Sequence, residues 1–378
     1  MPIRLQTDNH KILNQIPYSN NIKFAPHFLN IMNNFILFCQ TSADFPYLLK
    51  EYDELVSTNP ESTIKIICLN NPIYATFFKS LNLQHAKIEF LDNLLFPLKK
   101  IWVIPWWRRK AKRRLEKVIP LNNNTYYFTS IYDDPSTNFY IHLLYKKKQK
   151  IVYLNHYDKI QNIQPLGKRS LKNYFIEFLY FLFTSIRYKY YDMSGRWNPI
   201  RFPIEDYNKI IETNPTLDKH TCEKYSCQIE TSDNAKKNVL LFSQPNRDQK
   251  LISDEEYNQL HLNLVNILKQ NGFKVYTKGH PRIGICPVLN NEVDGVIPQY
   301  IPGELLGLSS FSACIGFLTI ALSSTAKLKI IPTYSFLPCM ANNDSPVYKD
   351  ALSFMNASSN YNIQYIETFE ILISELTN

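Results

Sequence analysis

The sequence predicts an α/β protein of two domains, each built around a parallel sheet, and three observations predict it. The chain has 378 residues, about twice the common domain length of roughly 100–200 residues. Short apolar runs alternate with helical patterns through its first half, and the alternation resumes after a polar, proline-bearing stretch. Hydrophobic residues make up 45% and charged residues 20%, a balance that excludes both a disordered chain and a polytopic membrane protein.

The lead-in MPIRLQTDNHKILNQIPYSNN lacks the apolar core of a secretory signal, so no export is expected. The run at 35–40 (FILFCQ) reads as a strand, and Tyr47, Leu48, Leu49, Tyr52 and Leu55 follow at helical spacing. A strand at 63–69, a helix at 74–81 and a strand at 87–91 continue the pattern. Between Lys99 and Lys117 stand nine Lys or Arg residues and one acid, Glu116, which accounts for nearly all of the net charge of +9. With Trp102, Trp106 and Trp107 among them, Arg108, Arg109, Arg113 and Arg114 read as a surface suited to an anionic membrane face. A merely solvated helix is the other reading, and nucleic acid is a third that lacks any recognised binding module.

A strand at 126–132 ends in two aspartates, another lies at 151–155, and an aromatic-rich helix at 171–191 packs on the sheet or rests at a membrane surface. Its apolar part, 174–186, falls short of a bilayer span of about 20 residues. These elements form a first domain over 1–205, and the polar stretch with Pro215 makes 206–237 a linker region. The second domain, 238–345, holds strands at 239–243 and 274–278 around a helix at 254–270. A short helix at 303–308, a strand-like run at 313–317 leading into 323–327, and a strand at 330–334 follow. Helices at 347–355 and 367–376 are expected to pack back toward the first domain.

Seven scattered cysteines (Cys39, Cys68, Cys222, Cys227, Cys286, Cys314, Cys339) lack CxxC spacing and read as reduced, buried thiols in a cytosol. Cys222 and Cys227 have no accompanying pair at zinc-finger spacing, so no metal is expected. With nine glycines there is no GxGxxG and no GxxxxGK[ST], and no Asp-x-Asp triplet to clamp a metal on a diphosphate. A donor with a single phosphate would not need that clamp.

The strongest local signal is Tyr276-Thr277-Lys278-Gly279-His280-Pro281-Arg282, where a strand gives way to a loop. An imidazole between Lys278 and Arg282 suits a departing phosphate; the other reading is a loop histidine capped by its own backbone. Ser323-Ser324-Thr325 look like a helix N-terminus able to grip the same phosphate, or an ordinary N-cap. Tyr132-Asp133-Asp134 closes a first-domain strand and suits a general base, or a turn opened by Asp134-Pro135-Ser136.

Together, YDD, KGHPR, IPGE at 301–304 and SST at 323–325 resemble the bacterial lipooligosaccharide sialyltransferases and polysialyltransferases, whose D/E-D/E-G motif carries the base and whose HP motif faces the CMP phosphate. The resemblance is good over 238–335 and thin before 125. It implies the GT-B type, two Rossmann-like domains with a nucleotide cleft between them. It also implies Asp134 as base with Asp133 beside it, His280 as acid or phosphate ligand, and Ser323, Ser324 and Thr325 on the phosphate. Lys278, Gly279, Pro281 and Arg282 would frame that phosphate. Ser243-Gln244-Pro245 is similar to the family's GQP-like turn, and Glu304 to its ribose-binding glutamate.

Pro135 stands where the family has glycine, fixing φ and removing a backbone N–H, so a differently aimed base is expected. The implied activity is inverting, metal-independent transfer of sialic acid from CMP-sialic acid to a surface glycan, without a cofactor. The acceptor would be a lipid-linked glycan at the cytoplasmic face of the membrane, with the enzyme cytoplasmic and peripheral. A CMP-Kdo or CDP-polyol transferase is the nearest alternative, and a non-catalytic membrane-surface module is another.

Overall fold

A computed structural model describes residues 34–69, 71–92, 103–119, 124–129, 135–154, 163–165, 171–184, 188–193, 200–203, 210–231, 235–247, 251–281 and 283–377. The first half alternates β1 (Asn34–Cys39), α1 (Phe45–Thr58), β2 (Thr63–Leu69), α2 (Pro72–Ser80), β3 (Ala86–Leu91), α3 (Ile104–Val118), β4 (Asn124–Phe128), α4 (Pro135–Lys146) and β5 (Lys150–Leu154). β6 (Ile163–Pro165), α5 (Leu171–Thr184), β7 (Tyr188–Met193), β8 (Ile200–Pro203) and β9 (Ile210–Thr213) follow, then α6 (Lys219–Lys224). The second half runs β10 (Asn238–Phe242), α7 (Asp254–Gln270), β11 (Lys274–Lys278), β12 (Gly295–Ile297), β13 (Ala313–Gly316) and α8 (Ile320–Leu328). β14 (Thr333–Ser335), α9 (Pro346–Ser359), β15 (Gln364–Tyr365) and α10 (Phe369–Thr377) complete it.

Two six-stranded sheets result, ordered β3-β2-β1-β4-β5-β9 and β12-β11-β10-β13-β14-β15, with every neighbouring pair parallel. Both orders are the doubly wound 3-2-1-4-5-6 arrangement, so the chain is two Rossmann-like domains in tandem, as GT-B architecture requires. The central strands read as apolar runs because helices cover both faces: β10 is buried at all five positions. Helix starts obey local chemistry. Ser253 caps α7 by accepting from Glu256 N at 3.2 Å, and Asp254, Glu255 and Glu256 complement the dipole of its first turn. Its apolar stripe, Tyr257, His261, Leu264, Val265 and Leu268, faces the sheet.

One core joins the two halves. The sheet face under α1 and α2, with Leu37, Leu48 and Phe77, runs through Cys222 and Tyr225 of the α6 segment into Leu240, Phe242, Tyr276 and Leu305. Two further cores lie behind the sheets, under α3 and α4 in the first domain and under α7 and α10 in the second.

Several expectations are corrected. The 206–237 linker contains β9, which completes the first sheet, and α6, which packs on α1. The helices expected over 346–378 pack mainly on the second domain instead of crossing back: α9 lies on α8, β15 extends the sheet beside β14, and α10 lies on α7. The strand-like reading of 323–327 gives way to α8, and the helix expected to reach 191 stops at Thr184, with β7 beginning at Tyr188. α4 is hard to read from sequence because Phe139, Tyr140, Ile141 and Leu144 are all buried, and apolar residues at successive positions blur a helical period.

Candidate functional site

In the second sheet the strand order reverses between β10 and β13, and doubly wound sheets bind ligands outside the carboxyl ends of strands at such a point. Phe242 pairs with Lys278 on one side and Gly316 on the other, so the segments after β10, β11 and β13 leave this edge side by side. The loop after β10 carries Gln244 and is braced from several directions. Tyr257 donates its hydroxyl to Gln244 O at 2.9 Å, Asn246 Nδ2 donates to Ile252 O at 3.0 Å and Asp254 Oδ1 at 2.8 Å, and Ser243 Oγ shares a 2.8 Å bond with Thr277 Oγ1. The bracing roles of Ser243, Thr277 and Tyr257 are not legible in the sequence because they depend on partners distant in the chain.

After β11 the backbone folds tightly. His280 and Gly284 exchange N–H···O bonds of 2.9 Å in both directions, and Gly284 closes the turn at φ +82°. Gly279 must lack a side chain, since a Cβ there would stand 2.5 Å from the Gly284 carbonyl carbon and 2.6 Å from Ile285 N. His280 and Pro281 are half-buried at this edge, and Arg282 lies outside the described residues.

Lys278 departs from expectation. It is 4% exposed, and its ammonium donates to the carbonyls of Gly279 and Gln299, bracing the turn from within instead of reaching a phosphate. Burial pulls its pKa down to about 8, opposed by the charge of Glu304. Glu304, itself buried, sits in a 3₁₀ turn over Gly303–Leu305. A Cβ on Gly303 would meet Phe242 Cε1 at 2.9 Å and Ala321 Cβ at 3.2 Å, so this turn abuts both the end of β10 and the first turn of α8. On its other side is α6: burial and then Glu304 push the Cys222 thiol up to about 12.

The serine cluster is also corrected. α8 starts at Ile320 with Thr319 at the N-cap, so 323–325 lie in the second turn and not at the N-terminus. Ser323 is buried and accepts from Ser358 Oγ at 2.9 Å, with its oxygen 3.4 Å from Met355 Sδ. Thr325 is buried and donates to Ala321 O at 2.8 Å. Ser324 is half-buried. The amide groups free to meet an anion belong to the turn after Thr319, whose side chain makes no capping bond to the helix. A polar residue just before an apolar helical run was the signal for this start.

In the first sheet the order reverses between β1 and β4. After β1, the fully buried Asp44 accepts from Gln40 N at 2.7 Å and Thr41 N at 2.6 Å through one oxygen and from Thr41 Oγ1 at 3.1 Å through the other. β4 ends at Phe128 and α4 begins at Pro135; Asp133 and Asp134 fall between them and lie outside the described residues. Pro135 opens α4, where its fixed φ suits the helix and its missing N–H forfeits no bond.

The basic helix divides. Trp107 is a core side chain, 2% exposed, packed with Ile104, Ala111 and Leu115 against the sheet and 5.7 Å from the Phe139 ring. Arg108 lies over Phe139 at 5.2 Å and donates to Leu182 O at 3.5 Å, and Arg114 donates to Asp92 O at 2.9 Å and Oδ2 at 3.2 Å. These three are engaged within the fold and are not free for a membrane. Trp106, Arg109 and Arg113 are exposed. Among the described residues, no helix is long and apolar enough to cross a membrane.

Among solved structures, the chain is similar to UDP-GlcNAc 2-epimerase from Neisseria meningitidis at 13% identity, covering 92% of this chain and 100% of that one with a TM-score of 0.45. It is similar to the ADP-heptose LPS heptosyltransferase II of E. coli at 12% identity, covering 92% and 98% with a TM-score of 0.38. No curated protein matches it. Residues 139–288, which include Gln244 and His280, match the family model of the alpha-2,8-polysialyltransferases.

Proposed function

We propose that the chain is a glycosyltransferase of the bacterial polysialyltransferase type, which moves sialic acid from CMP-sialic acid to a glycan hydroxyl with inversion and without a metal. The observation that supports this reading is the family-model match over 139–288, which spans the tight turn holding His280 at the carboxyl edge of the second sheet. Gln244 and Glu304 would hold the nucleotide. The first turn of α8, with Thr319, and Ser324 behind it, would meet the single phosphate in place of the buried Ser323 and Thr325.

In the proposed step Asp134 takes the proton of the acceptor hydroxyl as its oxygen bonds to the anomeric carbon. The bond from that carbon to the phosphate oxygen breaks, and CMP leaves with the electron pair, its charge met by His280 and the helix N-terminus. The acceptor would be a lipid-linked surface glycan at the cytoplasmic face of the membrane. The two Rossmann-like domains would close over the donor and exclude water.

The test is CMP release measured with CMP-sialic acid, CMP-Kdo and a CDP-polyol, with and without EDTA. Turnover of CMP-sialic acid should survive chelation, and Asp134→Asn and His280→Ala should each lower kcat by roughly 10²–10⁴-fold. Turnover of another donor alone, loss on chelation, or full activity in both variants would refute the reading.

A further inference from the structure

The outer layer of the first domain ends in a helix that packs away only half of its apolar side. α4 is buried at four successive positions, Phe139 to His142, which no single neighbour can cover because consecutive helical residues point to different sides. The sheet covers one side, while α5 and α3 pack on the rest.

At about 100° per residue, Leu171, Tyr174, Phe175, Phe178, Phe181 and Leu182 fall on one side of α5. Near its C-terminus that side is docked: Leu182 joins the core under α3, and its carbonyl accepts from Arg108 at 3.5 Å. Near its N-terminus the same side runs out into solvent, with Leu171 87% exposed, Tyr174 55%, Phe175 54% and Phe178 53%. Four large apolar side chains in one stripe are a patch and not the scattered exposure normal to a surface.

The neighbouring helix supplies charge. α3 turns Ile104, Trp107, Ala111 and Leu115 inward, which leaves Arg109, Lys112, Arg113 and Lys117 exposed. Trp106 joins them, 60% exposed, with Lys110 Nζ 4.8 Å from its ring centroid. Glu116, the acid of this face, is shared between Lys112 at 3.7 Å and Lys147 at 3.5 Å.

We infer that the N-terminal half of α5 and the outward face of α3 together form a docking surface for an anionic lipid bilayer. The aromatic stripe enters the boundary between headgroups and acyl chains, and the cations and Trp106 lie along the headgroups. A second copy of the chain is disfavoured because facing surfaces would oppose like charges. A nucleic acid would use the cations but leave the stripe in water. The inference goes beyond the proposed activity, and its test needs no donor, so the two can fail separately.

The full chain is sedimented with vesicles of phosphatidylcholine alone and with about one third phosphatidylglycerol. Binding should require the anionic lipid and weaken as salt is raised above ~0.1 M. Arg109→Gln with Arg113→Gln should weaken it about 30-fold, and Phe175→Ser with Phe178→Ser at least about tenfold, while the urea unfolding midpoint of each pair is unchanged. Absent binding, equal binding to both vesicles, or wild-type binding by either pair would overturn the inference. So would a dimer abolished by the phenylalanine pair, or DNA binding abolished by the arginine pair while vesicle binding stays intact.

Discussion

His261 is fully buried on α7, its Nδ1 2.8 Å from Tyr257 O and its ring 4.2 Å from that of Tyr257 and 5.1 Å from that of Phe336. Burial pushes the imidazole pKa down to about 4. The unfolded chain takes up this proton near pH 6.5 and the folded one only near pH 4. The stability involved is therefore present above pH 6.5 and lost as the pH falls through that window, up to about 3 kcal/mol. Glu51 works in the opposite direction. Burial and then Glu54 raise its carboxyl to about 7, so its folded state favours the proton and stability is lost as pH rises from the ordinary carboxyl range toward 7. In His261→Leu the acid loss should flatten, which denaturant midpoints at about pH 7.5 and 4.5 would measure; an unchanged acid loss would refute the assignment.

At the scale of elements, α3 shows how one basic sequence serves two environments. Trp106 and Trp107 are adjacent in sequence and point to different sides, one to solvent and one into the core over the sheet. Trp107→Ala should cost about 3–5 kcal/mol, as removal of a buried indole does. Trp106→Ala should stay within about 0.5 kcal/mol. Equal midpoints for the two variants in urea unfolding would contradict this placement. α8 makes the same point: its residue pattern was plain, but which of its hydroxyls are reachable depended on α9 lying against it with Ser358 and Met355.

At the scale of the whole molecule, the two sheets are joined through α6. Asp53 of α1 accepts from Tyr225 OH at 2.6 Å and from Lys224 Nζ at 2.7 Å, while Cys227 N donates to Leu305 O at 2.8 Å and Gly307 N to Cys227 O at 2.9 Å. One short segment thus bonds to an α1 side chain in the first domain and to the backbone beside Glu304 in the second. Burial and then the bond to Asp53 hold the Tyr225 phenol far above its usual range. Asp53→Ala leaves that hydroxyl unpaired and should cost about 1–3 kcal/mol. Adding Tyr225→Phe should recover part of the loss, because removing both partners strands neither. A double variant less stable than Asp53→Ala would show that the bond does not join these elements.

Short-range chemistry was legible in the sequence alone. The apolar runs of β1, β2, β10 and β11 and the strand-to-loop change at Lys278 and Gly279 act within a turn or two of chain, where residue types suffice. Only the tertiary structure decided that Lys278 turns inward, that Ser323 and Thr325 are spent on internal bonds, that Trp107 is core, and that α6 belongs to the junction and not to a free linker. Each of these depends on a partner brought close by a crossover, such as Gln299 for Lys278 or Ser358 for Ser323. Burial and hydrogen-bond satisfaction belong to neighbours in space, and a residue's own neighbours in sequence do not specify them.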